Sequence, residues 1–173
     1  MSAESPQQLH TPDFAPHLLH HLLDLAAERA PRAPALSTTG GGVLSYGELA
    51  EASARLARRL RRDGLGRGDR LVVKAADGLG VAMLVYAASR IGAVFSVLHE
   101  QVRGGPLEHV LGDCEPRALV SDDPEALRTA DGAGVAAVRI EDLVRTALAP
   151  GLEPALAPRP PGTDTTGPQH TPA

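Results

Sequence analysis

The spacing of apolar residues predicts short helices and strands from about residue 17 onward. A first helix is expected over residues 17–30, ended by Pro31 and Pro34. Its core face is expected to be formed by Leu18, Leu19, Leu22, Leu25 and Ala26. Two short strands, at residues 35–37 and 43–44, then form a hairpin around a glycine-rich turn at residues 38–42.

A capping box marks the start of the second helix. Ser45 and Glu48 lie three positions apart, so the serine side chain caps the backbone while the glutamate reaches back. The helix is expected to continue to about Asp63, where Gly64 suits a left-handed end. Its core face is formed by Leu49, Ser53, Leu56 and Leu60.

Beyond this helix, apolar runs of strand length alternate with helical segments. Strands are expected at residues 70–75, 93–98, 117–121 and 135–138, and helices at residues 79–91, 106–114, 124–129 and 140–148. This alternation predicts an α/β fold, with part of a parallel sheet flanked by helices.

The ends of the chain differ from its middle. Residues 1–16 are polar and contain proline, which predicts a flexible arm before a folded unit at residues 17–148. Seven prolines fall within residues 149–173, where no apolar period continues. These last residues are expected to form a disordered tail.

Composition excludes several classes of function. With a net charge of -4, the chain offers no bulk attraction to nucleic acid or to an anionic membrane. No apolar run approaches the roughly 20 residues of a membrane span. The chain has one cysteine, Cys114, so an internal disulfide is excluded. Cys114 is expected to be a small core residue. No secretory signal is seen at the start, so a cytoplasmic location is expected.

Three motifs stand in a characteristic order along the chain. Residues 44–49 (LSYGEL) open a helix, residues 64–73 (GLGRGDRLVV) turn into a strand, and residues 89–95 (SRIGAVF) link a helix to the next strand. In order and spacing they resemble core motifs of the adenylate-forming (AMP-binding) superfamily. This family includes acyl-CoA synthetases and the adenylation domains of nonribosomal peptide synthetases. The resemblance spans about residues 17–122 and implies the first portion of that family's large N-terminal domain.

The chain departs from the family pattern at two places. The third motif continues with prolines in the family, K-x-G-A-x-x-x-P, where this chain has SVLHE at residues 96–100. The family's phosphate loop, T-S-G-T-T-G-x-P-K, resembles only TDTTGP at residues 163–168, which lacks the internal glycine and the lysine. We therefore expect no phosphate site there, and we assign no catalytic, cofactor-binding or metal-binding residue to this chain.

The resemblance implies a truncated ligase that is not catalytic alone. The family activates a carboxylate with ATP and then transfers the acyl group to a thiol. We expect this chain to use ATP and magnesium only if a protein partner supplies the missing phosphate loop and C-terminal domain, as in a split enzyme. The alternatives are a non-catalytic binding or scaffold module, or a remnant without a selected role.

A dinucleotide-binding unit is a less favoured alternative. Asp77, Gly78 and Gly80 open a helix after a strand, and Glu100 follows 20 residues after Gly80. Met83, however, occupies the third glycine position, where its bulk hinders close packing of the helix on the strand.

Two polar clusters allow functional and structural interpretations. His17 and His21 are spaced to hold zinc and share a helix side with His20 and Asp24, but no motif fixes a third ligand, so exposed histidines are favoured. On the second helix, a solvated face is favoured over a docking patch for an acidic partner. That face is formed by Arg55, Arg58, Arg59 and Arg62.

Overall fold

The computed structural model describes residues 18–37 and 43–148. Within them lie α1 (Leu19–Arg29), β1 (Pro34–Ser37), β2 (Val43–Ser45), α2 (Tyr46–Arg62), β3 (Arg70–Lys74), α3 (Gly78–Ile91), β4 (Val94–Val97), α4 (Gly104–Cys114), β5 (Ala118–Ser121), α5 (Pro124–Gly132), β6 (Ala136–Arg139) and α6 (Ile140–Leu148). Each predicted helix and strand is present, with ends that differ by a few residues. The predicted arm, tail and glycine-rich turn lie outside the described residues.

The main sheet has four parallel strands in the order β4-β3-β5-β6, which confirms the predicted α/β class. Val72 in β3 lies opposite Ser96 in β4 and Leu119 in β5. The chain passes from β3 to β4 on one side and then returns to place β5 on the other side of β3. This reversal makes the boundary between β3 and β5 the topological switch point of the sheet.

Helices cover both faces of the sheet. Leu71 and Val73 point towards the layer that contains α2, α3 and α6, with α1 packed outside α2 and α3. Val72 and Leu119 point the other way, towards α4 and α5. All four residues of β5 are buried, as expected for a central parallel strand that is covered on both sides. None of the helices in the described ranges is both long and apolar enough to span a membrane.

The predicted caps of α2 are confirmed. The Ser45 backbone N–H donates to the Glu48 carboxylate at 2.8 Å, and the Glu48 N–H donates to the Ser45 hydroxyl at 3.3 Å. At the other end, Gly64 has φ of +87° and the Leu65 N–H donates to the Leu60 carbonyl at 2.9 Å. This is a Schellman ending, and it turns the chain directly towards β3.

The predicted core face of α1 is wrong. Leu18 and Leu22 are 53% and 50% exposed, whereas Leu23 is 2% exposed. The helix side that carries His20 and Asp24 faces inward instead, because both side chains find polar partners on α3. The inward side of this helix thus combines the buried Leu23 with two polar contacts to α3.

Candidate functional site at the switch point of the sheet

The candidate site lies at the carboxyl ends of β3 and β5. In open α/β sheets, ligands bind in the crevice outside the carboxyl ends of the strands at a switch point. Here that position holds Lys74, at the end of β3, and Ser121, Asp122 and Asp123, at and just after the end of β5.

Lys74 and Asp123 form an ion pair across the crevice. The Lys74 Nζ lies 2.7 Å from Asp123 Oδ2, and the lysine side chain is 2% exposed. The second carboxylate oxygen accepts the backbone N–H of Glu125 at 2.9 Å, so Asp123 also caps α5. The hydrogen bond from Lys74 lowers the pKa of Asp123 below its ordinary value, with a smaller contribution from the charge of Arg103.

The neighbouring polar groups are also paired within the protein. The Ser121 hydroxyl donates to the Lys74 carbonyl and accepts the Asp123 N–H at 3.0 Å. Asp122 accepts the Ala76 N–H at 2.8 Å. In the part of the chain that the structure describes, no buried side-chain nitrogen or oxygen lacks a hydrogen-bond partner. The polar groups beside the crevice are therefore paired with one another, and Lys74 is paired with a carboxylate.

The linear sequence does not by itself bring this ion pair together. The signal was available, since an apolar strand ends in Lys74 and another ends just before Asp122 and Asp123. Recognising it required the knowledge that β3 and β5 are neighbours, although β4 lies between them in sequence.

The glycines at the start of α3 have a packing explanation. Asp77 caps the helix by accepting the Leu79 N–H at 3.1 Å. A Cβ atom at Gly80 would lie 2.8 Å from the Ile140 side chain at the start of α6. Met83 is fully buried in the core, at the position where a dinucleotide-binding unit has its third glycine. These contacts favour a structural role for this segment.

We expect Gly80→Ala to lower the free energy of unfolding by about 1–3 kcal/mol, because the added methyl group overpacks the contact with Ile140. Gly78→Ala is the matched control, since nothing lies within 4 Å of a Cβ atom there. Alanine should be neutral or slightly stabilising at that position. Urea unfolding of both variants measures the difference, and equal effects would contradict the packing explanation.

His20 and Asp24 connect α1 to α3. His20 Nδ1 lies 2.9 Å from the Ser89 hydroxyl, and Arg90 pairs with both carboxylate oxygens of Asp24. Burial, followed by the charges of His21 and Arg90, lowers the pKa of His20. Within residues 18–37 and 43–148, no group of three potential ligands is placed to hold a metal ion. His17 lies outside these residues.

The arginine-rich side of α2 is only partly solvated. Arg55 is half-buried and its Nε donates to the Ala147 carbonyl at 2.6 Å, which ties α2 to the end of α6. Arg59 pairs with Asp63 at 2.7 Å. The opposite, predicted core face of α2 is buried as expected.

Cys114 does not lie in the core, contrary to the expectation from sequence. It is the last residue of α4 and is partly exposed. Its backbone carbonyl accepts a hydrogen bond from Arg70 at 2.8 Å.

The three recognised motifs form caps and turns. The first contains the capping box of α2, and the second contains the Schellman ending of that helix. The second and third motifs are joined directly, because Gly68 donates to the Gly92 carbonyl at 2.9 Å and Val94 to the Asp69 carbonyl at 2.8 Å. The described contacts of these motifs are therefore those of helix caps and turns.

The sequence matches the AMP-binding enzyme family over residues 23–169. The chain belongs to this family. The match continues past the described residues and includes residues 163–168. The AMP-binding resemblance that the three motifs predicted is thereby confirmed.

Relatives within the AMP-binding family are longer than this chain. Novobiocin biosynthesis protein H of Streptomyces niveus is 30% identical over 134 residues, which cover 78% of this chain and 22% of that protein. Among solved structures, VinN is 26% identical with a TM-score of 0.70, covering 76% of this chain and 35% of VinN. The Klebsiella oxytoca NpsA N-terminal subdomain in complex with anthranilyl-AMSN is 25% identical with a TM-score of 0.66. The match covers 81% of this chain and 35% of the NpsA chain. The chain thus corresponds to about a third of these solved chains.

Proposed function

We propose that this chain supplies the N-terminal part of a carboxylate-activating, adenylate-forming enzyme, and that a second polypeptide carries the phosphate-binding segment and the C-terminal domain. Such an enzyme joins a carboxylate to the AMP portion of ATP, releases pyrophosphate, and passes the acyl group to a thiol. The chain alone would not perform this reaction.

The observation that carries the proposal is the ion pair between Lys74 and Asp123. Adenylyl transfer requires cationic groups and magnesium around the phosphates. In the described residues, the lysine at the switch point is paired with Asp123, and no cluster of ligands fits a metal ion. We therefore derive no catalytic step through Lys74 or Asp123.

The relatives support the class of substrate. VinN has been solved with L-aspartate and with 3-methylaspartate, and NpsA with anthranilyl-AMSN. All of these names denote carboxylic acids or their derivatives. We therefore propose that the enzyme of which this chain forms a part also acts on a small carboxylic acid.

A scaffold function is the second candidate, and one observation favours it. The described residues form two apolar clusters, one on each face of the sheet, and leave no buried side-chain nitrogen or oxygen without a hydrogen-bond partner. Such a core can support a stable fold without a complement. A scaffold module would melt cooperatively as an isolated chain and would have no partner with a phosphate loop.

The test is purification of the tagged full chain from its native cells, followed by mass spectrometry of the proteins that come with it. We expect a stoichiometric partner that carries an AMP-binding phosphate loop and the C-terminal domain. Recovery of unrelated proteins only, or of none, would reject the split enzyme and leave the scaffold function.

A further inference from the structure

The outer edge of β4 is available for strand pairing. Within the described ranges, β4 ends the sheet and no strand pairs with its outer side. The N–H groups of Val94 and Leu98 donate to carbonyls on the β3 side. Because backbone direction alternates along a strand, the N–H and C=O groups of Phe95 and Val97 face outward.

This edge is also apolar on both faces. Val94, Phe95 and Val97 are 54%, 36% and 50% exposed. Among the helices, α3 packs on β4, whereas β6 at the other edge of the sheet is packed by both α5 and α6.

Natural edge strands are usually protected from pairing by charge, proline, a bulge or shortening. β4 contains no charged residue and no proline, its pairing with β3 is regular, and it is as long as the central strand β5. It therefore lacks the charge, the proline and the bulge that protect other edge strands.

We propose that β4 pairs with β4 of a second copy of this chain, antiparallel about a two-fold axis at Ser96. In this register Phe95 of one copy faces Val97 of the other, and each such pair exchanges both backbone hydrogen bonds. An aromatic residue then lies beside a β-branched residue on each side of the axis, which is a favourable cross-strand pair. The same segment serves both copies, as a two-fold interface requires.

The charges beside β4 favour a second copy as the occupant. The antiparallel register brings Glu100, beyond the end of one β4, towards Gly92, before the start of the other. The Arg67 side chain lies over Gly92, with Cγ 3.3 Å from the position of a Cβ atom there. Arg67 and Glu100 are both exposed, and neither forms an ion pair with another described residue. Pairing of two copies would thus place opposite charges together at both ends of the interface.

Sedimentation velocity of the full chain over a range of concentrations tests this proposal. We expect a reversible dimer that is weakened at least tenfold by Val97→Lys, which places a charge on the pairing edge. Val43→Lys is the matched control, because Val43 is 57% exposed on the separate hairpin sheet, and it should leave the dimer intact. A monomer at all concentrations, or equal weakening by both variants, would overturn the proposal.

A second variant keeps the test decisive if Val97→Lys impairs folding. Ser96→Cys, in a Cys114→Ser background, should form a symmetric disulfide in oxidised glutathione. The Cα atoms of residues on the axis would lie about 4.5 Å apart, within disulfide range. Val43→Cys in the same background should form no disulfide between two copies of the chain. Cross-linking at residue 43 but not at residue 96 would overturn the two-fold pairing.

This inference is independent of the proposed function. If a phosphate-loop partner is recovered but the isolated chain is monomeric, the split enzyme stands and the dimer fails. If the chain dimerises through β4 and no such partner is found, the reverse holds.

Discussion

Replacing Asp123 with alanine is expected to lower the free energy of unfolding by about 4 kcal/mol. Removing one partner of a buried ion pair leaves the other charge unpaired, which costs about 3 kcal/mol or more. Lys74 is 2% exposed and would be left in this state. Loss of the cap on α5 adds about 1 kcal/mol. Urea unfolding at neutral pH measures the total.

Two variants separate these contributions. Asp123→Asn retains a capping side chain but not the charge, so it should recover about 1 kcal/mol relative to alanine. Asp131→Ala, an exposed aspartate on the same helix, should change stability by no more than about 0.5 kcal/mol. Equal effects of Asp123→Ala and Asp131→Ala would show that the ion pair contributes nothing to stability.

The same ion pair predicts a pH dependence. The pKa of Asp123 is lowered in the folded protein, so its contribution is fully present above the ordinary value of 3.8 and is lost as the pH falls through the lowered value. The stability difference between the native chain and Asp123→Asn should therefore shrink below about pH 3.8. A difference that stayed constant into acid would contradict the assignment.

The second large effect is expected from Leu23 in α1. Leu23→Ala should lower the free energy of unfolding by about 3 kcal/mol, because the side chain is 2% exposed and its removal leaves a cavity. Leu22→Ala is a matched control, since the adjacent leucine is 50% exposed and should cost only about 0.5 kcal/mol. Thermal and urea unfolding of the two variants compare them directly. A larger effect of Leu22→Ala would contradict the orientation of α1 in the structure and support the one that the apolar pattern predicted.

Local signals were sufficient to predict most of the fold. The capping box of Ser45 and Glu48 and the glycine end at Gly64 depend on neighbours in sequence, and the structure confirms both. The alternation of apolar strands and helices likewise predicted the parallel sheet, which the structure confirms. The sheet order could not be obtained from these signals, because it depends on contacts between whole elements.

The orientation of α1 and the ion pair of Lys74 both depend on polar contacts between residues far apart in sequence. The partners of Asp24 and His20 lie 66 and 69 positions away on α3, so the apolar pattern of α1 alone indicated the opposite face. Asp123 lies 49 positions from Lys74 and meets it only because β5 packs beside β3. The family motifs identify turns and helix caps. They do not include Lys74 and Asp123 as a pair, so they could not predict the ion pair at the switch point.

The most direct test of the central claim is carboxylate-dependent exchange of pyrophosphate into ATP, measured with a panel of small carboxylic acids. The chain is assayed alone and as the complex isolated with its partner. We predict no exchange by the chain alone, and exchange by the complex with at least one acid of the panel. Exchange by the purified chain without a partner would contradict the account, as would a complete complex that remains inactive with every acid.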